Sequence, residues 1–498
     1  MTHDREQSDG LIVPVKLSNN ARDGAAEAVE GSGPVKGNAA GKTRPGHCAG
    51  HDAPSALDRV RRIARQDKDV RFTALLHHVD VDRLRAAYFA LRPKAAPGVD
   101  GVTWDDYGQD LEGSLTDLHA RVHRGAYRAR PSRRVFIPKP DGRLRPLGVA
   151  ALEDKILQRA VVEVLNAVYE QDFLGFSYGF RPGRSPHDAL DALAYGINRR
   201  RVNWVLDADF SDYFSRLDHQ WLVKFLEHRI ADERVLRLIQ KWLAAGVIEA
   251  GSWTALPDGV PQGASASPLL ANVYAHYVLD LWADQWRRRH AHGHVVIVRF
   301  ADDFVVGFEH RQDAERFWVE LRERLAKFGL ELNAEKTRLI EFGRFAARDR
   351  AARGLGKPET FQFLGFTHMC GKARKTGQFK LLRTTDSKRM RVKLHALKRE
   401  MAWRMHQPIP AQGQWLATVL QGHYNYYAVP NNSEALHVFR EQIIRYWRHS
   451  LRRRSQRNRI DWTRMNVLAD RWLPAPRILH PWPEQRFAAR TQDRSPVR

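Results

Sequence analysis

Apolar positions recur at helical spacing from Leu57 through Leu75 and Leu84 to Leu91, and the pattern breaks at Pro93. Ala96-Pro97-Gly98-Val99-Asp100-Gly101 reads as a loop from its Pro and Gly content. A short β-rich run, Arg134-Val135-Phe136-Ile137, enters Pro138-Lys139-Pro140-Asp141-Gly142-Arg143, whose Pro-Asp-Gly signals a turn before Leu144-Arg145-Pro146-Leu147. A helix is predicted from about Ala151 to Tyr169, with Leu157, Val161, Leu165 and Val168 on one face. Trp204-Val205-Leu206-Asp207-Ala208-Asp209-Phe210 reads as a strand ending in acidic residues, and further helices are predicted near 219–247, 267–288 and 311–329. Between the last two, the β-rich runs His294–Phe300 and Phe304–Phe308 are joined by Ala301-Asp302-Asp303, which predicts a hairpin with carboxylates at its turn. The tail from about 386 is helical and ends in Pro-rich turns near 474–483. No internal repeat is visible. Strands mixed with helices, many linked as hairpins, indicate an α+β core followed by a helical domain.

Residues 1–55 are rich in Gly, Ala, Asn and Ser without apolar periodicity, so a disordered leader is expected there. The rest divides into a body, 56–370, and a tail, 371–498. No apolar run approaches the ~20 residues of a membrane span, and the start of the chain lacks a signal-peptide core. Two cysteines, Cys48 and Cys370, exclude a disulfide framework or a four-thiolate zinc site. A reducing cytoplasm is the expected location, with no membrane partner. The net charge of +24 asks for a polyanion, for which nucleic acid is the default. That charge is uneven: −1 in the leader, +6 in the body and +19 in the tail.

Asp302-Asp303 at a hairpin tip is the sharpest chemical feature. Adjacent like charges are costly unless a cation neutralises them, and Asp209 at the end of another apolar run is the natural third member. Three carboxylates at strand ends of one sheet can hold two Mg²⁺ ions a few Å apart, which would activate an attacking 3′-hydroxyl and stabilise leaving pyrophosphate. A solvated turn that merely ends two strands is the ordinary alternative. Spacing alone leaves both open.

The motifs carry a resemblance. Phe300-Ala301-Asp302-Asp303 is similar to the aromatic-Ala-Asp-Asp box of bacterial group II intron reverse transcriptase/maturases, and Asp209-Phe210-Ser211-Asp212-Tyr213-Phe214 resembles the block that supplies their first metal-binding aspartate. Ile137–Gly142 with Arg145-Pro146-Leu147-Gly148 resembles the fingers motif, and Ser177-Tyr178-Gly179-Phe180-Arg181-Pro182-Gly183-Arg184-Ser185 the second block. Gly259–Gly263 with Ser267–Asn272 resembles the fourth, Leu332–Thr337 the sixth and Phe363–Phe366 the seventh. The likeness runs from about residue 60 to 485. It implies a right-hand polymerase fold, with fingers and palm built on antiparallel sheet over 56–370. A basic α-helical thumb/maturase (X) domain over 371–498 would follow.

The resemblance also implies roles. Asp209, Asp302 and Asp303 would bind two Mg²⁺ ions, with Mn²⁺ as a substitute. Lys139 and Arg145 would hold the triphosphate of a dNTP, Phe214 would exclude a ribose 2′-hydroxyl, Gln262 would line the nucleotide pocket, and Lys336 would donate a proton to pyrophosphate. Taken singly, Phe214 also reads as core, Gln262 as a loop amide and Lys336 as a solvated helix end. Two positions depart from the family pattern: Ser215 where many relatives are acidic, and Ala264 where a second glycine is commoner.

The tail interleaves Lys388, Arg389, Arg391, Lys393, Lys398 and Arg399 with Leu394, Leu397 and Trp403, and adds Arg452, Arg453, Arg454, Arg457 and Arg459. Cations for phosphates beside aromatics for unpaired bases suit structured RNA. Trp447, Trp462 and Tyr426 read instead as the tail's own core. The likeness to the X domain implies binding of the group II intron RNA that encodes the protein, assistance to its splicing, and mobility of that element through an RNA template, a DNA primer and target DNA. Homodimerisation stays open. No cysteine follows Cys370, so no endonuclease domain is expected in this chain. His290, His292 and His294 read as a polar loop, not a zinc site. A splicing cofactor with a relic polymerase fold, and a reverse transcriptase domesticated for phage defence or CRISPR-linked acquisition, are the competing readings.

Overall fold

The computed structural model describes residues 56–138, 144–249, 251–373, 376–454 and 460–491. The expectations placed on residues 1–55, Lys139, Arg457 and Arg459 fall outside these. Eleven strands make three sheets among the described residues. β1 (Ser132–Pro138), β2 (Leu144–Val149), β4 (Val247–Glu249) and β5 (Ser252–Thr254) form the first, in the order β2-β1-β4-β5. β3 (Trp204–Asp209), β6 (Val295–Phe300), β7 (Asp303–Phe308) and β8 (Arg338–Glu341) form the central sheet, in the order β6-β7-β3-β8, antiparallel throughout. β9 (Phe361–Phe363), β10 (Phe366–Lys372) and β11 (Phe379–Thr385) form the third. One pair departs from the antiparallel expectation: β1 and β4 run parallel, with Ser132 opposite Val247.

The strands of the central sheet are largely apolar because both faces are covered. Leu206, Ala208, Ile297, Phe304, Val306 and Phe308 belong to the large core that includes the helices Leu152–Asp172, Ser267–Ala275 and Arg311–Ala326. Val205, Val296, Val298, Val305 and Ile340 face the other way, onto the helix Pro186–Arg199 and the third sheet. That helix starts where its sequence says it should. Ser185 and Asp188 form a reciprocal capping box and Pro186 occupies the first turn.

Two helical stretches are more broken than the apolar period suggests. The run from Leu57 to Leu91 is two helices, Ala56–Gln66 and Val81–Phe89, with a short 3₁₀ turn at Leu76–His78. The segment 219–247 is likewise split into His219–Glu227 and Glu233–Ala244. The cause is shared: Asp232, buried in the second break, accepts the backbone N–H groups of Leu75 and Leu76 at 2.8 and 2.9 Å in the first. A carboxylate that satisfies orphan donors elsewhere overrides local periodicity.

β10 spans the 370/371 point at which the sequence divides, and the helical part begins at Ser387. Its helices, Ser387–Trp403, Ile409–Tyr427, Ser433–Arg452 and Trp462–Trp472, share a separate core around Leu397, Leu420, Phe439 and Trp447. The final helix, Pro483–Thr491, packs back on Pro186–Arg199, where Phe487 stacks on Tyr195 and Arg486 meets Asp191 at 3.1 Å. No described helix is long and apolar enough to cross a membrane.

Candidate active site

The antiparallel register of β3 and β7 sets Asp209 directly opposite Asp303, so their side chains leave the same face of the sheet. Asp207, two residues earlier, shares that face. Phe300 pairs with Asp303 across β6–β7, which leaves Ala301-Asp302 as a two-residue turn. Ala301 has a φ of 60°, a conformation such turns usually give to glycine. Thus Asp209, Asp302 and Asp303 lie at the same end of the central sheet, the strand-end arrangement expected from the sequence.

The electrostatics there are strained. Burial, then the neighbouring Asp209, raises the Asp302 carboxyl, while Arg145 and Lys336 act to lower it. The Asp303 carboxyl is raised well above the usual carboxylate range by burial and by Asp207, Asp209 and Asp302, with Arg389 opposing. Asp207 is pushed up to about 6, chiefly by burial, although Arg338 lies 3.5 Å away. Hard oxygen donors that repel one another in a half-buried site are what Mg²⁺ coordinates. Among the described residues no three His, Cys, Asp or Glu side chains already converge on a single point.

Lys336 ends on this cluster. Its turn is held by Asn333, whose side chain accepts the N–H groups of Glu335 and Lys336 and whose own N–H donates to the Asp209 carbonyl at 2.8 Å. The Lys336 ammonium donates to an Asp209 carboxylate oxygen. Arg145 lies on β2 opposite Ile137, exposed, with its charge felt at Asp302. Phe214 sits in a 3₁₀ turn after β3, half-buried, with its ring edge-on to Phe180 at 6.3 Å between centroids. Phe180 has a φ of 59° and is 53% exposed, rare for so bulky a residue. Gln262 is half-buried in the loop that leans on β2: its carbonyl accepts the Gly148 N–H at 2.7 Å. Gly263, at φ 107°, allows the approach, since a Cβ there would stand 2.9 Å from the Gly148 oxygen.

The residues expected to meet RNA separate into three situations. Lys388 and Arg391 are exposed on the helix Ser387–Trp403, as are Arg452 and Arg453 at the end of Ser433–Arg452. Arg389 is exposed too, and its charge opposes the rise at Asp303 on the central sheet. Arg454 is a clasp, with its guanidinium donating to the carbonyls of Met405 and Gln407. Of the aromatics read as core, Trp447 is fully buried and donates to Gln412 at 2.9 Å, and Tyr426 is half-buried on the Leu364 carbonyl. Trp462 departs from that reading, 46% exposed under the Arg448 guanidinium. Trp403 is 78% exposed. His292 pairs with Asp313 at 2.9 Å, consistent with a polar loop.

Sequence reasoning gave no role to a buried layer beneath the turn. Arg299 and Asp280, both fully buried, form a two-pronged ion pair at 2.7 and 2.6 Å. Deleting one partner of such a pair typically costs about 3–5 kcal/mol, because the other charge stays buried. The signal was present as lone charges inside the apolar runs Val295–Phe300 and Tyr277–Leu281.

Residues 137–368 match the family model described as reverse transcriptase (RNA-dependent DNA polymerase). Protein YkfC of Escherichia coli is 34% identical over 313 residues, which cover 55% of this chain and 81% of that protein. The group II intron-encoded protein LtrA of Lactococcus lactis is 32% identical over 231 residues, 45% of this chain and 38% of the relative. A putative COX1/OXI3 intron 1 protein of Saccharomyces cerevisiae is 26% identical over 325 residues, 56% of this chain and 38% of the relative. The chain thus spans most of the first and under two-fifths of the other two. On these matches the chain belongs to the reverse transcriptase (RNA-dependent DNA polymerase) family, with group II intron-encoded proteins among its relatives.

Proposed function

We propose that the protein extends a DNA primer on an RNA template by two-metal nucleotidyl transfer, and that its basic helices bind group II intron RNA to assist splicing and mobility. The observation that carries this reading is the register match of Asp209 with Asp303 beside the Asp302 turn. Asp209, Asp302 and Asp303 would hold the ions, and bound Mg²⁺ would supply a more acidic 3′-hydroxyl and charge neutralisation at the transferring phosphate. Arg145 would meet the triphosphate with a planar donor fork. Phe214, stiffened by Phe180 and by the Val260 N–H on its carbonyl, would close the space beside C2′ of the incoming sugar. Gln262 would line the same pocket, its loop braced on β2. Lys336, whose ammonium donates to Asp209, would give its proton to the leaving pyrophosphate.

In this reading the first sheet acts as fingers, the central sheet as palm and the helices from Ser387 as a thumb/maturase domain. Lys388, Arg391, Arg452 and Arg453 would neutralise phosphates, and exposed Trp403 would stack on an unpaired base. The test is primer extension on an RNA template with dNTPs and Mg²⁺, run beside a splicing assay on a group II intron RNA. Extension abolished by Asp302→Ala supports the reading. Intron binding without any extension by the parent protein would leave only the splicing half.

A further inference from the structure

We infer that Arg299, locked by Asp280, is the positioning residue that fixes the Ala301-Asp302 turn; this rests on the proposed role of Asp302 as a metal ligand. All five N–H donors of the guanidinium are used. Nε and Nη2 donate to the two oxygens of Asp280 at 2.7 and 2.6 Å, Nη1 to Asn272 Oδ1 at 3.1 Å and to the Ala301 carbonyl at 2.9 Å, and Nη2 also to Ser177 Oγ at 2.7 Å. One side chain thereby ties together three distant stretches of sequence beneath the carboxylates.

Each partner has its own reason to be in place. Asp280 closes a π-helical turn, His276–Asp280, inserted between two α-helical segments, and such turns re-aim a side chain at the expense of helix regularity. Asn272 is bivalent: it accepts from Arg299 and donates to the Gly179 carbonyl at 2.7 Å. Gly179 presses on the far side of the turn, where a Cβ would stand 2.2 Å from the Ala301 nitrogen. Ala301 is thus held on its carbonyl by Arg299 and closely packed at its nitrogen against Gly179, which accounts for a positive φ without glycine. A buried ion pair kept only for packing could be replaced by apolar residues at little cost. The bond to the Ala301 carbonyl is what apolar replacement would not supply, and it acts one residue from Asp302. Lysine keeps the charge but not the planar fork, so it cannot meet these acceptors together.

The experiment compares full-chain parent, Arg299→Lys and the double variant Arg299→Met with Asp280→Leu in primer extension, with Asp302→Ala as reference. Both positioning variants should lose about 10²-fold in kcat, since a displacement of about 1 Å at reacting groups has that effect, while KM for dNTP stays within about threefold. A second readout needs no turnover. With Fe²⁺ replacing Mg²⁺ under ascorbate and peroxide, backbone cleavage near residues 209 and 302 should weaken in both. Parental kcat and cleavage in a folded variant overturn the inference. If neither variant folds, Ser177→Ala decides, since it removes one acceptor: about a tenfold loss in kcat is expected, and no loss overturns the inference. Should Asp302→Ala itself extend primers, the reading of the site fails, whatever Arg299 does.

Discussion

At the end of the central sheet charges are few, partly buried and held one by one; on the helices Ser387–Trp403 and Ser433–Arg452 they are many and exposed. The first arrangement suits chemistry, where a carboxylate displaced by about 1 Å is a carboxylate lost. The second suits a polyanion with a phosphate every few ångströms, where the number of cations matters more than the angle of any one. The two regions therefore should fail differently. A small change in the sheet should be large in rate and silent in RNA affinity, and a change on the helices should do the reverse.

Outside the carboxylates and the Arg299 layer, the largest effect is expected at Phe214. Phe214→Val opens the space beside the incoming sugar, and discrimination against rNTPs should fall about 10²-fold in single-nucleotide incorporation, with dNTP turnover nearly kept. Arg389 comes next, and it tests where the boundary between the two regions lies. Because its charge opposes the rise at Asp303, Arg389→Ala should lower extension about tenfold, whereas Arg391→Ala, two residues away, should leave extension intact. Lys388→Ala, Arg391→Ala and Arg453→Ala should each reduce the slope of log affinity against log salt by about 1 in filter binding to intron RNA. Arg454→Ala is the smallest in RNA affinity, with no resolvable change. The loss of its bonds to Met405 and Gln407 should appear instead as about 1–2 kcal/mol of stability in denaturant unfolding.

What could be read in advance followed from how local each feature is. The strand Trp204–Asp209 and the hairpin carrying Asp302 are written as apolar runs that end in carboxylates, and the structure pairs them in register. Ser185, Pro186 and Asp188 spell a helix start in four positions. The breaks at 67–80 and 228–232 could not be read so, because Asp232 serves backbone groups more than 150 positions away in sequence. The Arg299–Asp280 layer was hidden for the same reason: its five hydrogen bonds reach residues between 2 and 122 positions distant. Nor does helical periodicity tell core from surface for a lone aromatic. Trp447 and Trp462 look alike in sequence, yet one is fully buried and the other half in solvent.

The separation of the two regions is tested most directly in one protein with two readouts. Asp302→Ala should lose RNA-templated primer extension by about 10³-fold or more while binding intron RNA with the parental affinity and the parental salt slope. Extension that survives at parental rate, or RNA affinity that falls along with it, would contradict the account.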